Sequence, residues 1–132
     1  MIKYKAGKRI AGKKLAELYQ AVRWLHFKQP DKLKEAYRNS DFVVTAWDGE
    51  RLVGAGRIIT DGCFNAYIPD IAVMPDCRGK GVGRGIVIRL VKTCKGYYNI
   101  TAVAEDPPAE KFFRSCGLTD ERKAFRKMTP IT

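Results

Sequence analysis

Apolar side chains recur every three or four positions near the start of the chain, which predicts an amphipathic helix over residues 12–25. The residues of this apolar stripe are Leu15, Leu18, Tyr19, Val22 and Leu25. Pro30 and Asp31 are typical of a helix start, and they predict a second, shorter helix that ends near residues 39–40. The chain is therefore expected to begin with two helices.

From residue 42 onwards the pattern changes to β-branched and aromatic residues, which favour strands. Residues 42–47 and 51–59 flank an Asp-Gly turn, and this arrangement predicts a hairpin. A second Asp-Gly turn precedes residues 66–74, which are expected to form a third long strand. Together these segments predict an antiparallel meander.

The second half of the chain predicts alternating helices and strands. A helix over residues 82–94 is stopped by Gly96, a strand follows over residues 98–104, and a helix begins at Pro107 and ends at residues 116–117. Residues 71–104 then form a β-α-β unit whose two strands should lie parallel. Residues 118–128 are expected to add one or two short strands. The predicted fold is of the mixed α/β class, a meander followed by a β-α-β unit, in one domain over residues 1–132.

Composition excludes several classes of protein. The chain has 132 residues, of which 45% are hydrophobic and 30% charged, as in a soluble globular domain. It contains no apolar run of the roughly 18 residues that span a membrane, and its basic start lacks the apolar stretch of a secretory signal. We therefore expect a cytoplasmic protein with no membrane partner.

Charge and cysteine content limit the ligands further. The net charge is +11, but residues 41–76 carry 2 basic and 6 acidic side chains, so the chain has no uniformly basic character. Nucleic acid is therefore not expected as a partner, whereas a ligand with several phosphates suits the basic segments. The four cysteines form no Cys-x-x-Cys pair, and His26 is the single histidine, so we expect free thiols and no metal.

A glycine-rich loop precedes the third predicted helix. Residues 78–84 contain three glycines and three cations, which allow backbone N–H groups and positive charges to approach an anion. A solvated turn is the alternative. The spacing does not match an ATP-binding Walker loop, since Gly81 stands where Ser or Thr is required. It does not match the dinucleotide-binding pattern either, which would need glycine in place of Arg84, Ile86 or Ile88.

Two blocks of sequence resemble one family. Residues 71–75, followed by Arg78-x-x-Gly81-x-Gly83, are similar to the acetyl-CoA signature of the GNAT superfamily of N-acetyltransferases. Residues 109–118 are similar to that family's Ala-x-x-Phe-Tyr-x-x-x-Gly-Phe block. The predicted order of elements resembles that fold over essentially the whole chain, and residues 42–76 resemble a subgroup of small bacterial and plastid-type amine acetyltransferases.

The resemblance implies transfer of the acetyl group of acetyl-CoA to a primary amine, most simply a small molecule, by direct attack in a ternary complex. The two parallel strands would splay apart around pantetheine, and the N–H of Val73 would act as an oxyanion donor. Asp70 would hold the acceptor ammonium or relay its proton through water, with an ion-paired structural carboxylate as the alternative. The cofactor-binding residues implied are Ile71, Ala72, Val73, Arg78, Gly79, Lys80, Gly81, Val82, Gly83, Arg84, Asp106, Phe112 and Phe113.

Two positions depart from the family pattern. Phe113 replaces a tyrosine that commonly protonates the departing thiolate, and Asp106 replaces an asparagine. Cys116 and Tyr97 are the alternative proton donors.

Several assignments remain open in the sequence. Tyr67 and Glu105 are the alternatives to Asp70, and His26 is expected to pack near the acceptor cleft rather than to act in catalysis. The alternative functions are acetylation of a protein lysine or N-terminus, and a CoA-binding regulatory module. A homodimer is left open.

Overall fold

The computed structural model describes residues 1–120 and 124–132. Its first half contains the strand β1 (Ile2–Ala6), the helices α1 (Gly12–Ala21) and α2 (Pro30–Asn39), and the hairpin strands β2 (Phe42–Asp48) and β3 (Arg51–Thr60). Its second half contains β4 (Asn65–Ile68), β5 (Ile71–Val73), α3 (Val82–Thr93), β6 (Asn99–Ala102) and α4 (Pro107–Ser115). The mixed α/β class predicted from the sequence is confirmed.

The described strands form one mixed sheet. Its strand order is β1-β2-β3-β4-β6, with β5 paired to β3 beside β4. All pairs are antiparallel except β4 with β6, which run parallel in register from Asn65 with Asn99 to Ile68 with Ala102. The meander and the β-α-β unit are therefore both present, but the parallel pairing involves residues 65–68 instead of residues 71–74.

The single long strand predicted over residues 66–74 is wrong. It is interrupted at Pro69 and Asp70, so that β4 pairs with the end of β3 and β5 pairs with Gly54–Gly56 in its middle. Proline has no N–H to donate to a strand partner, which accounts for the break at this point. The break separates β5 from the parallel pair.

The two faces of the sheet carry different helices. Helices α1 and α2 pack on one face, where Leu15, Leu18 and Tyr19 are fully buried, and α3 packs on the other face through Ile86 and Leu90. Glycines in β3 allow α3 to approach closely. A Cβ atom on Gly54 would lie 2.8 Å from Ile86 Cδ1, and one on Gly56 would lie 2.6 Å from Ile86 Cγ2. This close contact fixes α3 directly over β3 and beside β5.

Strand β1 was not predicted, because its apolar residues Ile2, Tyr4 and Ala6 alternate with lysines in a short basic segment. It pairs with β2 along its whole length. Tyr4 reaches α3, where its ring occupies the space in which a Gly85 side chain would lie, and the guanidinium carbon of Arg89 sits 3.8 Å from the ring centre. The edge strand is thereby packed against α3.

Three further boundaries differ from the sequence expectations. Helix α1 ends at Ala21 instead of residue 25, because Arg23 adopts a φ of +64° and turns the chain into a 3₁₀ helix at Leu25–Lys28. Strand β6 is shorter than the predicted residues 98–104. The predicted tail strands are wrong for residues 118–120 and 124–128, which form no strand, while residues 121–123 lie outside the described residues. Among the described residues, no helix has the length and hydropathy of a membrane span.

Candidate active site

Strand β5 has one open edge. Its pairing with β3 continues beyond the strand, since the Met74 N–H donates to the Val53 carbonyl over 2.8 Å. Because hydrogen-bonding groups alternate between the two edges of a strand, the N–H groups of Ile71 and Val73 face away from β3. No strand of the described residues pairs with that edge. The two backbone groups are therefore available to a ligand between β5 and β6, whereas the Ala72 side chain is buried among α1 and α2.

The glycine-rich loop leads directly into α3. Gly79 and Gly81 have φ values of +77° and +80°, which favour glycine, and Gly81 is the residue that caps α3. Helix α3 has no side-chain cap and no acidic residue in its first turn, and its first intrahelical bond runs from the Gly85 N–H to the Gly81 carbonyl. The N–H groups of the first turn are therefore left for an anion.

The cations of this loop are all exposed. Arg78, Lys80 and Arg84 have no carboxylate within ion-pair distance among the described residues. The side chain of Val82, by contrast, is buried in the core, so it offers only its backbone to a ligand. An uncapped helix end surrounded by unpaired cations is an arrangement that suits a diphosphate.

Three of the predicted cofactor residues meet at the start of α3. A Cβ atom on Gly83 would lie 2.9 Å from Phe112 Cε1 and 3.4 Å from Val73 Cγ2. Glycine at this position therefore brings α4 and the end of β5 together beside the glycine-rich loop. These residues come from separate segments of the chain, and only the fold places them at one site.

Helix α4 carries the two residues that depart from the family pattern. Asp106 caps this helix, because its Oδ1 accepts the N–H of Ala109 over 2.9 Å. Phe112 and Phe113 are half-buried and pack edge to face, with 5.1 Å between ring centres. The Asp106 carboxylate thus has a structural role as the cap of α4. Contact of Asp106 or Phe113 with the cofactor stays a prediction.

The alternative proton donors lie at different places. Burial raises the pKa of the Cys116 thiol, an effect that Ser115 and the charge of Arg84 partly offset, so this thiol stays protonated at neutral pH. Tyr97 packs against the core beside α3. Among the alternatives to Asp70, Tyr67 is exposed and Glu105 pairs with Arg126 over 2.7 Å.

Asp70 lies at the break between β4 and β5, in a hydrogen-bonded network on the α1 and α2 face. Its Oδ2 accepts Arg57 Nε and the Tyr19 hydroxyl, each over 2.9 Å. The side chains of Arg57 and Asp70 are only 12% and 11% exposed. The Tyr19 hydroxyl lies 2.8 Å from that of Tyr37. The structural ion pair named as the alternative for Asp70 is thus present, and its part in proton transfer stays a prediction.

The protons of this network have a definite order. A carboxylate only accepts hydrogen bonds, so the Tyr19 hydroxyl gives its single proton to Asp70 and must accept one from Tyr37. Burial is the main cause that raises the pKa of both tyrosines, so both keep their protons. Burial would lower the pKa of Arg57, but the charge of Asp70 and its hydrogen bond leave it raised. The carboxylate is therefore held by one fixed cation and one hydroxyl donor.

Tyr19, Tyr37 and Arg57 are residues of this network that the sequence did not indicate as site residues. The two tyrosines have the helical spacing of core residues, and Arg57 lies in a strand without a recognisable motif. His26 lies next to this network, with its ring 5.4 Å from that of Tyr19. In the part of the chain that the structure describes, no three His, Cys, Asp or Glu side chains are grouped as metal ligands would be.

Comparison with known proteins identifies the family. The sequence profile of the Acetyltransferase (GNAT) family matches residues 12–118. The chain belongs to this family. The GNAT assignment made from the two sequence blocks is therefore confirmed.

Two relatives and one solved structure illustrate the family membership. The chain is 35% identical over 107 residues to serotonin N-acetyltransferase 2, chloroplastic, of Oryza sativa, an alignment that covers 76% of this chain and 53% of the relative. It is 31% identical over 121 residues to the N-acetyltransferase ycf52 of Porphyra purpurea, with 86% and 68% covered. A GNAT family acetyltransferase from Streptococcus pneumoniae superposes with a TM-score of 0.85 at 24% identity and 98% coverage of both chains, which shows the fold. The chain thus spans about half the length of its rice relative.

Proposed function

We propose that this GNAT acetyltransferase moves the acetyl group of acetyl-CoA to a primary amine of a small molecule, by direct attack of the amine in a ternary complex. The observation that carries the proposal is the meeting of Val73, Gly83 and Phe112 between an open strand edge and an uncapped helix end. The rice relative, named for a small amine, supports an acceptor of this size. A cytoplasmic location stays a prediction, since the name of that relative places it in the chloroplast.

The residues present fit acetyl-CoA. The uncapped first turn of α3, with the exposed cations Arg78, Lys80 and Arg84, would hold the pyrophosphate. The outward backbone groups of Ile71 and Val73 would pair with the pantetheine amides. Acetyl-CoA supplies the activated acyl group, and no metal is proposed.

The residues of the chain would then favour the transfer in two ways. The Val73 N–H would donate to the acyl oxygen as negative charge develops there, which is the role of an oxyanion donor. An amine has a pKa near ~10 and must lose a proton before it attacks. Asp70 is the carboxylate next to β5 that would hold the ammonium or pass its proton to water.

A CoA-binding module without efficient transfer is the second candidate, and Phe113 favours it because a phenyl ring cannot protonate a departing thiolate. The test is an assay with acetyl-CoA and a panel of primary amines, a lysine peptide and a peptide with a free N-terminus, in which the CoA thiol released is measured with a thiol reagent. Transfer to small amines supports the proposal, and transfer to peptides alone contradicts the choice of acceptor. CoA binding without thiol release would favour the module.

A further inference from the structure

A small cavity lies on the α1 and α2 face of the sheet, beside the Asp70 network. Its volume is about 220 Å³, below the roughly 300–1,000 Å³ of sites for drug-sized ligands, so it can hold only a small group. Its walls come from the 3₁₀ helix, α2, β3 and the tail, and the lining residues are His26, Gln29, Lys32, Leu33, Ala36, Arg57 and Ile131. The cavity is separate from the glycine-rich loop.

The polar lining of this cavity is basic. Lys32 and Arg57 contribute positive charge, and none of the described residues that line the cavity is acidic. Asp70 forms an ion pair with Arg57, whereas Lys32 has no carboxylate within ion-pair distance among the described residues. Such a wall attracts a ligand with an anionic group.

Several hydrogen-bonding groups at the cavity have no partner in the part of the chain that the structure describes. Of the five N–H groups of Arg57, only one on Nε and one on Nη1 have acceptors among residues 1–120 and 124–132, namely Asp70 and, at 3.4 Å, Ser40 Oγ. His26 Nδ1 is buried, and no described residue forms a hydrogen bond with it. Buried polar atoms in proteins are nearly always satisfied, so an unpaired atom at a cavity wall indicates a ligand or a water.

We infer that this cavity binds an anionic group, a carboxylate or a phosphate, on the acceptor amine. The inference rests on the proposed function, which it deepens by naming the class of acceptor. Arg57 is central because it touches both sites: its Nε binds Asp70, the carboxylate proposed for the ammonium, while its other N–H groups remain for the anion. An acceptor with an amine and an anionic group a few bonds apart would place its ammonium at Asp70 and its anion at Arg57 and Lys32. Leu33, Ala36 and Ile131 would then contact the carbon atoms of the acceptor.

The test compares amines that differ only in the anion. Acetyl transfer is measured for ethanolamine and O-phosphoethanolamine, and for butylamine and 4-aminobutanoate, so that phosphate and carboxylate are distinguished. We expect kcat/KM to be higher for an anionic member by about ten-fold or more, the value of one charge-assisted contact. Equal kcat/KM within both pairs, or a preference for the neutral amines, would overturn the inference and leave the proposed function intact.

Two lysines on α2 provide a matched pair of variants. Lys32 lines the cavity and Lys34 does not, although both are exposed on the same helix. Lys32→Ala should raise KM for the anionic amines about ten-fold with little change in kcat, and should leave the neutral amines unaffected. Lys34→Ala should change neither. Equal effects of the two substitutions would refute a specific anion site.

A binding measurement distinguishes failure of the inference from failure of the proposed function. O-phosphoethanolamine and 4-aminobutanoate are titrated calorimetrically into the protein with CoA present. Binding that Lys32→Ala weakens and Lys34→Ala does not, in a protein that acetylates no amine, would support the anion site and overturn the proposed function. Absence of binding for both compounds, together with transfer to neutral amines, would overturn the inference alone.

Discussion

Replacement of Asp70 by asparagine tests both the structural and the chemical role of this residue. The substitution keeps the shape of the side chain and an oxygen for Tyr19 and Arg57, but it removes the negative charge next to the Arg57 guanidinium. Removal of one partner from a buried ion pair typically costs 3–5 kcal/mol, because the other charge is left uncompensated. These side chains are 11–12% exposed and the amide oxygen keeps the two hydrogen bonds, so we expect the lower end, about 3 kcal/mol.

A loss of that size is readily measured. For a domain of this length it lowers Tm by roughly 10 °C, which thermal unfolding with and without CoA records. Asp76→Asn is the matched control, since Asp76 forms an equally short ion pair with Arg51, at 2.9 Å, but both side chains are about half-exposed. Exposed ion pairs contribute little to stability, so the control should leave Tm nearly unchanged. Equal shifts for the two variants would refute the argument from burial.

The same variant separates structure from catalysis. If Asp70 takes part in proton transfer, Asp70→Asn lowers kcat by ~10²–10⁴-fold, while the affinity for CoA stays close to that of the wild type because the glycine-rich loop is elsewhere. Rates are measured well below the Tm of the variant, across pH 6–9. Wild-type turnover in a destabilised variant would assign Asp70 to structure alone.

Three more predictions follow from other residues. CoA and acetyl-CoA should raise Tm, since a ligand that binds only the folded state stabilises it. Gly81→Glu should abolish that rise, because it places a carboxylate at the uncapped end of α3 and a side chain on a residue whose backbone is left-handed. An unchanged wild-type Tm at saturating CoA would contradict the proposed site. Phe113→Tyr should increase turnover by about ten-fold if a hydroxyl at this half-buried position reaches the thiolate, whereas a drop in Tm without a rate gain would show a packing role. Backbone N–H groups of the following turn, chiefly that of Cys63, hold the pKa of Asp61 well below its usual value. Its contribution to stability is therefore complete above about pH 5, declines below the ordinary aspartate pKa of ~3.9, and is lost fully only below the lowered pKa of the folded state. Asp61→Asn should lower Tm at pH 7 and by a smaller amount at pH 3, and a larger effect at pH 3 than at pH 7 would refute this assignment.

Local patterns were sufficient for the hairpin and for the glycine-rich loop. β-Branched and aromatic residues on both sides of an Asp-Gly turn predict β2 and β3, and the spacing of Gly81 and Gly83 before an apolar helix predicts the start of α3. Strand β1 alternates apolar residues with lysines over only five residues, so the pairing with β2 that stabilises it is not visible in its own sequence. Its stability depends on a neighbour some 40 residues away in the chain.

The Asp70 network could not be predicted for a related reason. Tyr19 and Asp70 are 51 positions apart, and Arg57 and Asp70 are 13 apart, so no periodicity connects them. The break at Pro69 brings Asp70 to the helical face, and only the packing of α1 and α2 on the sheet places the tyrosines around it. A motif reports groups that are adjacent in sequence, whereas this carboxylate is controlled by groups that are adjacent in space.

The contact between Tyr4 and α3 has a practical consequence for anyone who shortens the protein. The family profile begins at residue 12, so a fragment cut to that boundary would lack β1. Its loss would expose the backbone edge of β2 and remove the aromatic ring that fills the space over Gly85, three positions from the start of the helix that follows the glycine-rich loop. An open strand edge invites pairing with other chains. A fragment that contains both sequence blocks typical of the family would therefore be expected to self-associate, and to bind CoA less well than the full chain.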